Sequence, residues 1–149
     1  TNLYGPGDHF DPNKSHVIAS LIRKFVLAKE NNEESVSCWG SGESTREFLH
    51  VEDLAEACIF LLNKWMPNKG ELNYINVGSG EDTKIKELAN LIKKESGFTG
   101  AINWDLNMPE GKSRSALDLK RIRSLGWSHK IPLDEGIRDS IKFFKNNFL

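Results

Sequence analysis

The sequence predicts a mixed α/β domain. Three observations carry that prediction. Apolar residues recur at three- and four-residue steps in several separate windows, short β-prone runs lie between those windows, and glycine- or proline-bearing turns separate the two. A chain of 149 residues fits one domain spanning 1–149, with length enough for a genuine core.

The chain opens at Thr1 inside Thr-Asn-Leu-Tyr-Gly-Pro, which reads as a strand end running into a turn. A natural polypeptide does not ordinarily begin there, so the sequence is expected to be cut from a longer one. Residues 4–14 hold two prolines and two glycines and form a loop. A helix follows, with Ser15 as its expected N-cap and its end near Lys29. Ile18, Leu21, Ile22 and Phe25 make its apolar stripe, and His16 and Arg23, seven residues and so about 20° apart, lie opposite. Val36–Trp39 is a short strand, 40–45 a glycine loop, and Arg46–His50 a second extended piece.

The next helix has the clearest pattern: Val51, Leu54, Ala55, Cys58, Leu61, Leu62 and Trp65 recur at helical steps, which marks them as core. A turn at 67–70 leads to an expected strand over Leu72–Val77, then the loop Gly78-Ser79-Gly80 and a helix from about Thr83. Ala101–Asp105 reads as a strand and 106–116 as a polar loop. Leu119 and Ile122 begin a short helix that stops at Gly126-Trp127, and a last helix follows Pro132 with Leu133, Ile137, Ile141 and Phe144 on one face.

Composition narrows the function. Hydrophobic residues make up 38% and charged residues 28%, which is too apolar for disorder. The formal net charge of −1 supplies no field for nucleic acid or an acidic membrane, and no apolar run is long enough to span a bilayer. Any bound anion must be held by a few placed cations. Cys38 and Cys58 lack Cys-x-x-Cys spacing and read as reduced thiols of a cytoplasmic protein. No histidine pair has metal-ligand spacing, so no metal is expected. The Gly-x-Gly pairs at 5/7, 40/42 and 78/80 lack the third glycine of a dinucleotide fingerprint, and no tyrosine has a lysine four residues on.

The polar loops carry a resemblance. Thr1-Asn2-Leu3-Tyr4-Gly5-Pro6, Ser15-His16-Val17-Ile18 with Arg23-Lys24, Trp39-Gly40-Ser41-Gly42, Arg46-Glu47-Phe48-Leu49-His50-Val51 and Asp53-Leu54-Ala55 resemble the GDP-L-fucose synthases of the extended short-chain dehydrogenase/reductase family. Asn76-Val77-Gly78-Ser79-Gly80, Pro109-x-Gly111-x-x-Arg114 and Leu125-Gly126-Trp127 continue it, so it covers almost the whole chain. The first and fourth motifs are shared by many nucleotide-sugar epimerases and dehydratases. Ser-His-Val with Trp-Gly-Ser-Gly is more particular to the fucose synthase branch.

The resemblance implies the C-terminal, substrate-binding part of a Rossmann-type enzyme. The implied reaction epimerises GDP-4-keto-6-deoxy-D-mannose beside its ketone and reduces it with NADPH. The N-terminal NADP-binding part, with its glycine-rich loop, Ser-Tyr-Lys group and cysteine base, would lie upstream. No NADP(H) is therefore expected on this chain alone, and the intact enzyme is expected to be a homodimer.

The resemblance makes His16 the epimerisation acid, close to the cofactor. As an expected first-turn residue it also sits where the helix dipole opposes a further positive charge. Thr1, Asn2 and Leu3 match the strand end on the nicotinamide side. Arg46 matches the diphosphate arginine, and a guanidinium fork suits phosphate. Lys24 aligns with a phosphate contact beside Arg23, and Trp39 would cover an apolar face of nucleotide or sugar. The plainer readings are a surface salt bridge from Arg46 to Glu43 or Glu47, a solvated basic pair, and a core tryptophan. Asp53 reads as a helix anchor. His9, Lys14, Ala19 and Ser115 depart from the family's usual asparagine, asparagine, proline and basic residue. The rivals are another nucleotide-sugar epimerase or dehydratase, or a non-catalytic sugar-nucleotide-binding module.

Overall fold

The computed structural model describes residues 1–70, 72–108 and 117–149. Its elements run β1 (Asn2–Tyr4), α1 (Val17–Glu30), β2 (Ser35–Trp39), β3 (Thr45–His50), α2 (Val51–Lys64), β4 (Asp82–Lys84), α3 (Ile85–Ser96), β5 (Ala101–Asp105), α4 (Lys120–Ser124) and α5 (Leu133–Phe148). This is the α/β alternation that the apolar periodicities predict.

Two small sheets result. In one, β3 is central: β1 pairs with it in parallel, Leu3 opposite Leu49, and β4 pairs antiparallel, Arg46 opposite Thr83. In the other, β2 and β5 run parallel with Cys38 opposite Trp104. The loop 40–44 passes from one sheet to the other.

The main core forms where α1 packs on α3, α5 and β2. Ile18, Leu21, Ile22 and Phe25 are buried as their spacing predicts, and so are Ala19, Val26 and Ala28, because α1 is covered on more than one side. Phe10 stacks into the aromatic group of Phe143, Phe144 and Phe148, which fixes the 4–14 loop on α5. Gly97 ends α3 at φ 76, a left-handed cap that residues with a Cβ adopt only under strain. A second cluster gathers Leu49, Ala57, Leu119, Ile122 and Trp127.

Four local expectations are corrected. The N-cap of α1 is His16, not Ser15: the Ser15 hydroxyl is buried without a partner, and Val17 is the first helical residue. The segment Leu72–Val77 is irregular rather than a strand. Arg121 donates to the carbonyls of Leu72 and Tyr74 and the Asn76 amide donates to Asp118, so side-chain contacts with the α4 region replace ladder bonds. The helix expected from Thr83 begins at Ile85, since Thr83 is in β4 opposite Arg46.

The fourth correction is the largest. Much of the stripe on α2 is not core: Val51 and Leu62 are 39% and 85% exposed, and Ala55 and Cys58 are exposed as well, while Leu54 and Leu61 are partly buried. Only Asp53 and Ala57 of this helix are fully buried, with Leu54, Phe60 and Leu61 partly buried on the second cluster. The buried face is therefore turned from the predicted stripe by about one residue step, roughly 100°. Among the described residues, nothing covers an apolar face of α2.

Candidate functional site

The site-bearing residues sit where strands give way to loops and where α1 begins. Lys24 and Trp39 come together. Lys24, on the half-buried side of α1, donates from Nζ to the Ser37 carbonyl at 2.9 Å and stands 5.7 Å from the centre of the Trp39 ring. Trp39 ends β2 with 58% of its surface exposed, so it is not a core tryptophan. An exposed aromatic ring with an ammonium over it thus meets solvent. Such a surface can stack a planar or apolar ligand face while the ammonium meets negative charge.

Arg46 lies in β3, just beyond the same loop, half-buried, with Nη1 donating to the Thr45 carbonyl at 2.6 Å. Glu43 accepts from Lys84 at 2.8 Å and also from Lys86, and these two hydrogen bonds hold its carboxyl down at about 2. Glu47 is buried and accepts from the Gly80 amide at 2.9 Å.

The loop between Trp39 and Arg46 is pinned along its length. Gly40 N–H donates to Asp105, Lys86 N–H to the Gly42 carbonyl and Ile85 N–H to the Ser44 carbonyl. Gly42 adopts φ 74 against the Trp104 ring, where an added Cβ would stand 2.6 Å from the ring edge. Only glycine suits both the torsion and the space.

His16 is exposed at the N-cap, with no side-chain cap bond; its carbonyl accepts from Ser20 N–H at 2.8 Å. Its backbone is extended, so it does not share the helical face of Arg23, and the imidazole is free to reach outward. Arg23 is half-buried on α1. Thr1 Oγ1 and Asn2 Nδ2 both donate to the Glu47 carbonyl, at 3.1 and 3.0 Å, which ties β1 to β3. Leu3 borders an open hollow of about 140 Å³ with Gly5, Pro6, Gly7, Asp8 and Val51. Lys112, Arg114 and Ser115 lie outside the described residues.

Asp53 proves to be an anchor, though not for its own helix. It is 2% exposed and accepts from the Lys130 and Ile131 amides at 3.0 and 3.1 Å. Tyr4 is buried edge-on to His50. Burial, reinforced by Asp53, Asp134 and Asp139, pushes its hydroxyl far above the ordinary phenol range, so it stays protonated. Among the described residues no group of three or more His, Cys, Asp or Glu side chains could hold a metal ion, and no helix is long and apolar enough to cross a membrane.

Sequence reasoning missed Glu47 and the Glu43–Lys84–Lys86 cluster. Glu47 lies inside because both faces of β3 are covered, as the burial of Phe48, Leu49 and His50 in succession shows, and alternation alone does not announce that. The lysine cluster was not legible either, since it joins residues about forty apart through a pairing of β3 and β4 that no local pattern announces.

Parallel strand pairs alternating with helices place the chain in the class of Rossmann-type α/β folds. The chain belongs to the NAD dependent epimerase/dehydratase family, whose sequence pattern matches residues 1–78. It is 44% identical over 147 residues to GDP-L-fucose synthase 1 of Arabidopsis thaliana, covering 99% of this chain and 44% of that protein. It is 43% identical over 152 residues to the GDP-L-fucose synthase of Escherichia coli K12, covering 99% of this chain and 47% of that one. Among solved structures, a GDP-D-glycero-L-gluco-heptose synthase from Campylobacter jejuni, determined in the presence of NADPH, superimposes with a TM-score of 0.86. Its identity is 32%, over 99% of this chain and 51% of that one. The chain thus spans less than half the length of the curated relatives it matches.

Proposed function

We propose that this chain is the sugar-nucleotide-binding part of an NADP-dependent GDP-L-fucose synthase, an enzyme that epimerises and reduces GDP-4-keto-6-deoxy-D-mannose to GDP-L-fucose in the cytoplasm. The observation that carries the reading is the exposed Trp39 ring at the end of β2 with the Lys24 ammonium over it, and Arg46 following the pinned loop in the chain. In this reading Trp39 covers an apolar face of the ligand, and Lys24, Arg23 and Arg46 offset the diphosphate charge. His16, exposed and unbonded at the start of α1, delivers the proton during epimerisation.

The fit to NADP(H) is partial. Thr1 and Asn2 direct their donors at the Glu47 carbonyl, and the 140 Å³ hollow beside Leu3 accommodates one edge of a ring, not a dinucleotide. Thr1, Asn2 and Leu3 would therefore form the nicotinamide-side rim, with His16 nearby, while the cofactor, when bound, supplies the hydride. The remainder of its site belongs to an N-terminal Rossmann half. Among the described residues an apolar face of α2 has no cover and β1 ends its sheet, which supports a docking role for that half. A homodimer is the expected state of the intact enzyme.

The test is direct. Calorimetry on the 149-residue chain should show weak GDP binding that Arg46→Ala weakens roughly tenfold, the loss of one charge-assisted contact. NADPH should not be consumed with the keto sugar until the N-terminal half is supplied. Turnover by this chain alone, or indifference of GDP binding to Arg46, overturns the reading.

A further inference from the structure

Glu43 is the one acid in the loop between Trp39 and Arg46. A carboxylate there repels a diphosphate, so charge alone gives it no place beside an anion site. Its two oxygens are shared between two cations: Oε2 accepts from Lys84 Nζ at 2.8 Å and Oε1 accepts from Lys86 Nζ. All three side chains are half-exposed, and exposed ion pairs add little to overall stability. What the cluster can do is local. Lys84 and Lys86 flank Ile85, the first residue of α3, and the Leu88, Ala89 and Ile92 side chains of that helix are fully buried. The backbone on both sides of Glu43 is tied to the same helix start. Lys86 N–H donates to the Gly42 carbonyl at 2.9 Å, and Ile85 N–H to the Ser44 carbonyl at 3.0 Å. Glu43 N–H itself goes to Ser41 Oγ at 3.1 Å. Two residues on, Thr45 lies opposite Lys84 in the pairing of β3 with β4, and its carbonyl accepts from Arg46 Nη1 at 2.6 Å.

We propose that Glu43 is a positioning residue for the Arg46 guanidinium: it clamps the loop to the start of α3 and so fixes where the fork points. The inference rests on the proposed diphosphate role of Arg46. A guanidinium meets phosphate through two parallel hydrogen bonds, so its aim matters more than that of an ammonium. Positioning and plain charge then predict opposite signs. If Glu43 acted through its charge alone, neutralising it would leave Lys84 and Lys86 uncompensated and strengthen the binding of an anion. If it acts by holding the loop, the same change weakens that binding.

The test compares GDP with guanosine, which offers the same base and ribose without phosphate. Both are titrated into the isotope-labelled 149-residue chain and followed through the Trp39 indole resonance. Glu43→Gln should weaken GDP roughly threefold, the modest factor an exposed cluster allows, and leave guanosine unchanged. Glu43→Asp keeps the charge but is one methylene too short to span both lysines, so it should weaken GDP in the same direction and by less. In an Arg46→Ala background, Glu43→Gln should cost GDP nothing more, because the group it positions is gone. GDP affinity that holds or rises in Glu43→Gln, while Arg46→Ala lowers it, overturns this inference and leaves the sugar-nucleotide reading standing. An equal loss for guanosine also overturns it, since that marks a general loosening of the loop. Indifference of GDP binding to Arg46→Ala removes both.

Discussion

Asp53 joins two parts of the chain that are far apart in sequence, and replacing it tests how the fold is closed. Its two oxygens accept the Lys130 and Ile131 amides at 3.0 and 3.1 Å, and the side chain is 2% exposed. A hydrogen bond to a charged group contributes about 1.5–3 kcal/mol. Lys130 is itself exposed, so the lower end applies to each bond. Asp53→Ala should therefore lose about 3 kcal/mol, or roughly 6–12 °C in Tm for a domain of this size. Asp53→Asn keeps one acceptor but points an NH2 group at the other amide, and should lose about 2 kcal/mol. Urea unfolding followed by tryptophan fluorescence gives both numbers, with the midpoint moving and the slope unchanged. If either variant stays within about 0.5 kcal/mol of the parent, the two bonds are not what holds the 128–132 segment down.

The Glu43 carboxyl, held at about 2 by Lys84 and Lys86 against an ordinary 4.5, should contribute fully above pH 4.5. That contribution should fade as pH falls toward 2, and Glu43→Gln should flatten this acid limb of the stability profile. Gly42→Ala must take up φ 74 and push against Trp104, so a loss of about 2–5 kcal/mol in unfolding free energy is expected from strain and overpacking together. A thiol reagent should modify Cys58, exposed on α2, at once. Cys38 is buried, and burial pushes its thiol up despite the opposing pull of Lys24, so it should react only on unfolding.

Much of this architecture was legible from residue order. The stripe of α1, the strands at Val36–Trp39 and Ala101–Asp105, and the stop at Gly126-Trp127 follow from spacing and turn chemistry, which act over a few residues. The errors fall where distant partners decide. Leu72–Val77 has the composition of a strand, but a strand needs a neighbouring edge, and here the Arg121 guanidinium takes the Leu72 and Tyr74 carbonyls instead. The stripe of α2 marks a face that suits apolar surroundings, and periodicity cannot say whether this chain or another surface supplies them. Of the candidate residues, Lys24 and Trp39 meet across α1 and β2, a contact of 5.7 Å that no local motif encodes. For His16, the motif placed the residue correctly at the start of the helix and misjudged by one position whether it lay inside.

Trp39 closes one sheet and Arg46 belongs to the other, and a short bridge through Gly42 joins them. The aromatic and cationic parts of the proposed ligand surface thus belong to separate sheets. A molecule touching both would clamp two plates together, so its affinity depends on how stiffly that span resists shear as well as on either contact. In the proposed function, the hydrogen bonds fastening the span to α3 and Asp105 therefore take part in recognition, although none of their atoms need meet the guest.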